Sequence, residues 1–161
     1  MSITLNTGIT DLSTAYTDKH YELGTKYIDD DGGIYVWGKY VDASVTVQAD
    51  RVCVPVLSST NSVLFTADIT DTDADMQSAV GYAPAKMSNG KMGWFKTGGF
   101  HKVKQCSAVS YAKGTMFRTV GTDQTVSSCS TFVLAAGITL EKFGTSATTY
   151  RKVHLFSTRR P

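Results

Sequence analysis

The chain has 161 residues, 42% of them hydrophobic and 19% charged, so it is long enough to build one domain with a substantial core. Its formal net charge of +2 is too small to indicate a polyanionic partner by itself. No apolar run approaches the ~20 residues that span a bilayer, and the first residues lack the basic and apolar regions of a secretory signal. We therefore expect neither membrane insertion nor secretion.

The first twenty residues differ in composition from the rest, because they are polar, rich in threonine and weakly patterned. We expect residues 1–20 to form an extended arm that lies outside the core. Its apolar residues Ile3, Leu5 and Ile9 are candidate contacts with a partner, since Ile3 and Leu5 would share one face of an extended strand.

Residues 21–157 alternate short apolar runs with Gly, Asn, Asp and Ser, which predicts many short strands in an all-β barrel or sandwich. A short basic tail, residues 158–161, follows. Thr72–Val80 is the one helix candidate, and a loop is its alternative. The predicted strands are Thr25–Ile28, Ile34–Tyr40, Ser44–Val47, Val52–Leu57, Val63–Thr66, Val80–Ala85, Lys91–Phe95, His101–Ala108, Thr115–Thr119, Ile138–Phe143 and Tyr150–Phe156.

The segment from Asp29 to Gly33 raises the first functional question, because its three consecutive carboxylates are of the residue type that forms calcium and catalytic sites. A calcium loop needs carboxylates at alternating positions and a further carboxylate to close the shell, and an acid–base pair needs two contrasting environments. This segment has neither. Asp31-Gly32 instead favours a solvated hairpin turn of type I′, so we expect Asp29 and Asp30 to tolerate replacement by Asn.

The same turn chemistry recurs later in the chain. Asn89-Gly90 predicts a second type I′ turn, and Gly98-Gly99 predicts a bend before the next strand. The residues that we assign to structural turns are Gly24, Asp31, Gly32, Asn89, Gly90, Gly98, Gly99 and Gly137.

The cysteines and histidines do not indicate a metal or catalytic site, because no pair has the spacing of ligands. No nucleophile–base arrangement and no phosphate loop can be named. We therefore expect a protein that is not an enzyme and needs no cofactor, with buried thiols in a reducing cytosol. The histidines of the chain are His20, His101 and His154, and its cysteines are Cys53, Cys106 and Cys129.

The segment KMGWFKTGGFHKVK, residues 91–104, interleaves basic and aromatic side chains, as single-stranded nucleic-acid-binding barrels do. The favoured alternative places Trp94 and Phe95 in the core or in an interface, with the lysines on a solvated face. We then expect nucleic-acid binding to be weak and nonspecific. The side chains concerned are Lys91, Lys96, Lys102 and Lys104, with Trp94, Phe95 and Phe100.

The order of glycine turns and aromatic strands from Leu23 to Phe156 resembles the head decoration proteins, also called cement proteins, of tailed bacteriophages. The segments that carry the resemblance are Leu23-Gly24-Thr25, the run DDGGIYVW, Val80-Gly81-Tyr82-Ala83, Met92-Gly93-Trp94-Phe95 with Gly98, Gly114-Thr115, and the run AGITLE at 136–141.

This resemblance implies a β-barrel or β-tulip on the outer surface of a capsid, made in the cytoplasm of a bacterial host. Its partners would be the major capsid protein and copies of itself, in a homotrimer or, in some phages, a dimer. Such proteins hold neighbouring coat subunits against the pressure of packaged DNA. Aromatic anchors for these contacts would be Tyr35, Trp37, Trp94 and Phe95.

Three other functions stay open at this point. One is a phage tail or baseplate β-domain, or a receptor-binding module. Another is a barrel that binds single-stranded nucleic acid through residues 91–104. A hydrolase or lyase is the most distant of the three.

Overall fold

A computed structural model describes residues 4–5, 11–56, 64–67, 81–104, 110–119, 126–128, 136–142 and 150–156. Every helix or strand within these ranges is a β-strand, which confirms the all-β prediction. Several predicted features lie outside the described residues: Ile3, Ile9, Thr72–Val80, Cys106, Cys129 and residues 158–161. The strands are β1 Thr4–Leu5, β2 Lys26–Ile28, β3 Ile34–Tyr40, β4 Arg51–Pro55, β5 Leu64–Thr66, β6 Gly81–Ala83, β7 Met92–Lys104, β8 Met116–Thr119, β9 Val126–Ser128, β10 Gly137–Thr139 and β11 Tyr150–Leu155.

Five strands close into a barrel in the order β3-β5-β4-β6-β7, because β7 returns to pair with β3. The β3–β5 pair is parallel, and the other four pairs are antiparallel. Closure matters because every barrel strand then has a neighbour on both sides, which removes the free edges at which other chains could add.

A second sheet continues from the barrel in the order β7-β11-β10-β8-β9, and all its pairs are antiparallel. On the other side, β2 pairs with β3, and the two-residue strand β1 adds to β2 in parallel. The pairs are Thr4 with Lys26 and Leu5 with Tyr27.

Strand β7 belongs to both sheets. Its first part, Met92–Gly98, pairs with β3, and its second part, Gly99–Lys104, pairs with β11. The register against β3 shifts by one residue between Ile34 and Tyr35, which is a β-bulge. The predicted bend at Gly98-Gly99 is therefore a bulge inside one continuous strand of 13 residues.

Gly99 lies just after this bulge, at a close approach of two backbones. Its φ of +82° is in the left-handed region, and a Cβ there would lie 2.5 Å from the carbonyl oxygen of Gly32. The turn between β2 and β3 thus packs directly on the backbone of β7, at a distance that only glycine permits.

The barrel interior is an apolar cluster, and its largest contact is a stack of Phe65 on Phe95, with ring centroids 3.9 Å apart. Gly93 of β7 leaves room for Met87, whose Cε would lie 2.4 Å from a Cβ at that position. The buried members are Tyr40, Val47, Cys53, Phe65, Ala67, Ala83, Ala85, Met87 and Phe95.

The outer face of the β3–β7 pair is also buried. Trp37 and Trp94 are cross-strand partners that meet edge to face, with ring centroids 5.3 Å apart. Leu12, Tyr16 and Tyr21 pack against them from outside. Aromatic pairs in this geometry add to the stabilisation that burial alone provides.

Residues 11–20 therefore lie on the barrel, and the predicted end of the arm at residue 20 is wrong for this part. Tyr16 forms a β-bridge with Met92, with both N···O distances at 2.8 Å. Lys91 Nζ lies 2.6 Å from Thr17 Oγ1. The physical reason is that the two tryptophans would present a large apolar face to water without this segment. Leu12 and Tyr16 cover that face.

A third cluster lies beneath the second sheet. Strand β11 has alternating burial, with Val153 and Leu155 buried while Lys152 is exposed. Gly137 is not a turn residue, because it lies in β10 with the ring of Phe117 2.6 Å from the position of a Cβ. The buried members of the cluster are Val52, Val54, Tyr82, Tyr111, Phe117, Ala136, Val153 and Leu155.

Neither predicted type I′ turn forms, because Asp31 and Asn89 do not have a positive φ. In the first turn, Gly32 has a φ of +77°, and its N–H donates to the Asp29 carbonyl over 3.0 Å. This is the three-residue hairpin loop with a glycine bulge. The second turn is type II, with Gly90 at φ +84° and the Lys91 N–H donating to the Ser88 carbonyl over 3.1 Å.

Three further strand predictions need correction. Residues 44–47 form one bridge, Val47 with Met87, in place of a strand. The strand predicted over Ile138–Phe143 covers Gly137–Thr139. Strands β1 and β9 were not predicted, because neither has an alternating apolar pattern of useful length.

We predict that Gly99→Ala destabilises the fold more than Gly114→Ala does. Both residues have a left-handed φ, which costs an alanine about 1–2 kcal/mol. At Gly114 a Cβ would meet nothing within 4 Å, whereas at Gly99 it would collide with backbone and cost about 1–3 kcal/mol more. Urea denaturation measures the two free energies of unfolding. Equal losses would contradict the packing of the turn on β7.

Candidate functional site

A cleft of about 680 Å³ lies where β7 leaves the barrel and enters the second sheet. The strands β7 and β11 supply most of its lining, and the segment after β10 supplies Leu140. Its size is in the range of pockets that hold one small molecule. The principal lining residues are Lys96, Phe100, Lys102, Leu140, Lys152 and Val153.

Two lysines of the lining are cross-strand partners. Lys102 of β7 is directly opposite Lys152 of β11, and both side chains are exposed. Like charges in this position repel each other, because their Cβ atoms are only about 5 Å apart. Neither lysine forms an ion pair within the part of the chain that the structure describes. The backbone N–H of Lys152 donates to the Glu141 carboxylate over 2.7 Å.

Lys96 is the buried cation of the cleft, with a side chain that is 10% exposed. Its Nζ lies 3.9 Å from Asp29 Oδ2 and 5.0 Å from the centre of the Tyr35 ring. Burial lowers the pKa of Lys96, and the charges of Asp29 and Asp31 act against that shift. Two groups therefore stabilise the Lys96 charge: the Asp29 carboxylate from the hairpin turn and the Tyr35 ring from β3.

His101 also lines the cleft, and its ring lies against Tyr82 with centroids 4.5 Å apart. Its Nε2 atom is buried and has no hydrogen-bond partner in the described structure. Burial lowers the pKa of His101 to about 3, and the neighbouring charge of Lys96 contributes to that shift. The imidazole is therefore neutral at physiological pH.

Asp50 is at the barrel end of the cleft and has an unusual backbone. Its φ of 58° is the only positive φ among the non-glycine residues that the structure describes. It occupies the third position of a turn from Gln48 to Arg51, where glycine is the usual residue. Burial raises the pKa of its carboxyl group.

Phe100 is on the rim of the cleft with 58% of its surface exposed, more than any other large hydrophobic residue in the described ranges. Its ring meets that of His154 edge to face, with centroids 5.1 Å apart. Phe100 and His154 are cross-strand partners, next to the Lys102–Lys152 pair. The cleft therefore combines an exposed ring with an uncompensated pair of cations.

The four aromatic residues expected to be partner contacts are all buried within the single chain. Trp37 and Trp94 form the outer cluster with Tyr35, and Phe95 is inside the barrel. The structure thus corrects their assignment as exposed anchors. The physical reason is that both faces of the β3–β7 pair are covered, one by the barrel interior and the other by residues 11–27.

The acidic turn is not uniformly solvated, which corrects the expectation that Asp29 and Asp30 are equivalent. Asp30 and Asp31 are exposed, but the Asp29 side chain is 21% exposed and accepts a hydrogen bond from the Gly33 N–H. A Cβ at Gly33 would collide with the Asp29 carboxylate and with Lys96 Nζ. Asp29 therefore fixes the turn and compensates a buried cation.

The segment from Lys91 to Lys104 does not form the stacking face that a nucleic-acid-binding barrel needs. Trp94 and Phe95 are buried, as the favoured alternative predicted, although Lys96 is buried with them. Among the aromatic residues of this segment, Phe100 alone is exposed.

Asp42 is a buried carboxylate that the sequence reasoning did not select. Burial raises its pKa, but hydrogen bonds from Ser44, the Val45 N–H and Thr66 outweigh this effect and lower it to about 2. The donors lie 2.8 to 3.0 Å from the carboxylate oxygens. Asp42 thus ties the end of β3 to β5 and is fully occupied by structural contacts.

No group of three or more His, Cys, Asp or Glu side chains in the described ranges is arranged to hold a metal ion. Cys53 is buried inside the barrel, and burial raises the pKa of its thiol well above the usual value. No helix in the same ranges is long and apolar enough to cross a membrane.

Sequence reasoning missed the cleft because its two lysines are far apart in the chain and meet only through the β7–β11 register. One local signal did exist. Phe100 and Lys102 are two residues apart in β7, and Lys152 and His154 are two residues apart in β11, so each pair belongs to one face of its strand. The pairing of these two faces was not readable from the sequence.

The chain matches no family model, and no curated protein resembles it closely enough to count as a relative.

We predict that Asp29→Asn lowers the free energy of unfolding by about 1–3 kcal/mol, because it leaves the Lys96 ammonium buried without a counter-charge. Asp30→Asn is the matched control, since Asp30 is exposed in the same turn and should change stability by less than about 0.5 kcal/mol. Urea denaturation at neutral pH compares the two variants. A loss of the same size in both would show that the ion pair contributes nothing.

We predict that His101 makes the fold less stable in mild acid. Below pH ~6.5 the unfolded chain takes up a proton at His101 and the folded chain does not, until the pH approaches about 3. Stability should therefore fall with decreasing pH, at up to about 1.4 kcal/mol per pH unit from this residue.

The measurement is the free energy of unfolding between pH 5.5 and 6.5. His101→Gln should remove the slope that His101 causes, whereas His20→Gln, at an exposed histidine, should keep it. An unchanged slope in His101→Gln would mean that the imidazole is not held neutral by burial.

Proposed function

We propose that this protein is a structural component of a phage virion, which binds the outer surface of the capsid and stabilises the expanded shell. Its chemistry is association with the major capsid protein and with copies of itself, in a homotrimer or a dimer. No cofactor and no turnover are part of this proposal.

The main support is that the segments that resemble those of decoration proteins occupy structural positions in an all-β fold. Gly24 and Gly114 are at the third positions of type II turns, with φ of +87° at each. Gly93 accommodates Met87 inside the barrel, and Trp94 next to it pairs with Trp37. The order of these segments thus follows the requirements of one all-β fold.

The surface that we propose for the capsid contact is the β2 edge of the barrel. Leu23 precedes β2 and Ile28 ends it, and both are large apolar side chains that are partly exposed, at 37% and 39%. This edge is also the one to which β1 adds by main-chain pairing. An extended segment that adds to a sheet edge gains main-chain hydrogen bonds along with its side-chain contacts.

A modest interface suffices in such an assembly. Each contact of an oligomer raises the effective concentration of the others, so weak individual contacts give firm attachment without any new type of contact. The ordering of an arm costs conformational entropy, and the pairing and burial on the shell must exceed that cost.

The direct test mixes the purified protein with mature and immature capsids of the phage whose genome encodes it and measures co-sedimentation. We expect saturable binding to the expanded shell and a higher melting temperature of the decorated capsid. Absence of binding to either form would exclude the decoration role.

Leu23→Ser with Ile28→Ser should weaken retention on the shell by about tenfold, because both side chains are exposed apolar anchors. Phe100→Ser is the matched control, since Phe100 is an exposed hydrophobic residue on the second sheet. Circular dichroism should show an unchanged fold in both variants. Equal retention of the wild type and the double variant would move the contact away from the β2 edge.

Deletion of residues 1–10 tests the arm without removing Leu12 and Tyr16, which pack on the two tryptophans. We expect a folded protein with weaker retention. Unchanged retention would make this segment dispensable for binding.

A further inference from the structure

We propose that the cleft between the barrel and the second sheet binds a small amphipathic anion, with one carboxylate or phosphate group on an apolar body. This site is separate from the β2 edge and does not depend on the capsid role. Two features of the cleft carry the inference: a pair of lysines that have no ion-pair partner among the described residues, and an apolar lining.

The first feature is a pair of lysines. Lys102 and Lys152 are directly opposed across two paired strands and have no ion-pair partner in the described chain. Because directly opposed side chains on paired strands are neighbours, one carboxylate or phosphate group between them would accept hydrogen bonds from both ammonium groups, and such charge-assisted bonds are stronger than neutral ones. A bound anion would also remove the repulsion between the two lysines.

The apolar lining specifies the rest of the ligand. Phe100 presents an exposed ring at the rim, and Leu140 and Val153 line the cleft beside the lysines. A volume of about 680 Å³ accommodates a ligand of one or two rings. An apolar body in this position would cover Phe100, which is otherwise exposed to water.

Lys96 also lines the cleft and adds positive potential, although Asp29 compensates much of its charge. His101 lies on the opposite face of β7 from Lys102, and its Nε2 atom is buried, so this side chain belongs to the protein wall and is not a ligand contact.

A nucleic-acid strand fits this site less well than a small anion. The cleft offers one exposed ring, whereas binding of single strands uses successive stacking platforms. Asp50 lines the cleft and the Glu141 carboxylate lies at the Lys152 backbone, so a polyanion would meet negative charge on both sides of the lysine pair.

The test titrates phenyl phosphate into the isotope-labelled full chain and follows backbone amide chemical shifts. We expect saturable shifts at Lys102, Leu140 and Lys152, with inorganic phosphate and phenol each binding at least about tenfold more weakly. Saturable binding with this preference supports the proposal. No saturable shift at these residues, or equal affinity for inorganic phosphate, would overturn it.

Lys102→Gln with Lys152→Gln should weaken phenyl phosphate binding by about tenfold or more, since both charge-assisted bonds are lost. Lys86→Gln with Lys113→Gln is the matched control, because these exposed lysines carry the same charge away from the cleft and should leave the affinity unchanged. If the two double variants weakened binding equally, the net charge of the protein would explain the binding, and the proposed site would be wrong.

Two further measurements complete the test. Lys152→Glu should abolish binding and raise the melting temperature by about 2 °C, because it turns a repulsive pair into an attractive one. An unchanged or lower melting temperature would contradict the repulsion on which the site depends. Binding of single-stranded oligothymidylate more tightly than phenyl phosphate, lost in Lys102→Gln with Lys152→Gln, would overturn the proposal in favour of a nucleic-acid surface.

Discussion

The architecture depends on one strand that serves two sheets. β7 closes the barrel against β3 and then, without interruption, becomes the first strand of the second sheet. The transition occurs at a bulge where Gly99 takes a left-handed φ beneath the Gly32-Gly33 turn. Because a bulge increases the local twist of a strand, it redirects β7 from the curved barrel to a separate sheet. The cleft exists because the two sheets diverge at this point.

Burial on both faces of the β3–β7 pair explains which parts of the fold were predictable. The bounds of β3, Ile34–Tyr40, agree with those predicted, since its aromatic and β-branched residues favour a strand and its ends carry turn residues. The weak pattern of residues 11–20 gave no such signal. Leu12 and Tyr16 are isolated apolar residues in a polar segment, and they are held by the tryptophan face that they cover and by the Tyr16–Met92 bridge. Tertiary packing decided their position, and local propensity did not.

The candidate site was less predictable than the fold, for a related reason. Its properties come from pairs that meet through strand register: Lys102 with Lys152 across β7 and β11, and Lys96 with Asp29 across the barrel and its turn. The sequence shows a run of lysines and a run of aspartates, and both read most simply as solvated charge. Lys96 and Asp29 differ from the other lysines and aspartates because they are buried. Their burial depends on the strand topology, which cannot be read from the spacing of residues in the sequence.

Closure of the barrel has a consequence for how the protein is made. Trp37 meets its partner Trp94 about 60 residues later in the chain, and the parallel β3–β5 pair needs a crossover as well. During synthesis β3 leaves the ribosome long before β7, so the edge of β3 that pairs with β7 waits without a partner. Folding of the barrel is then limited by the arrival of β7, and the interval before it is when the nascent chain is most exposed to aggregation.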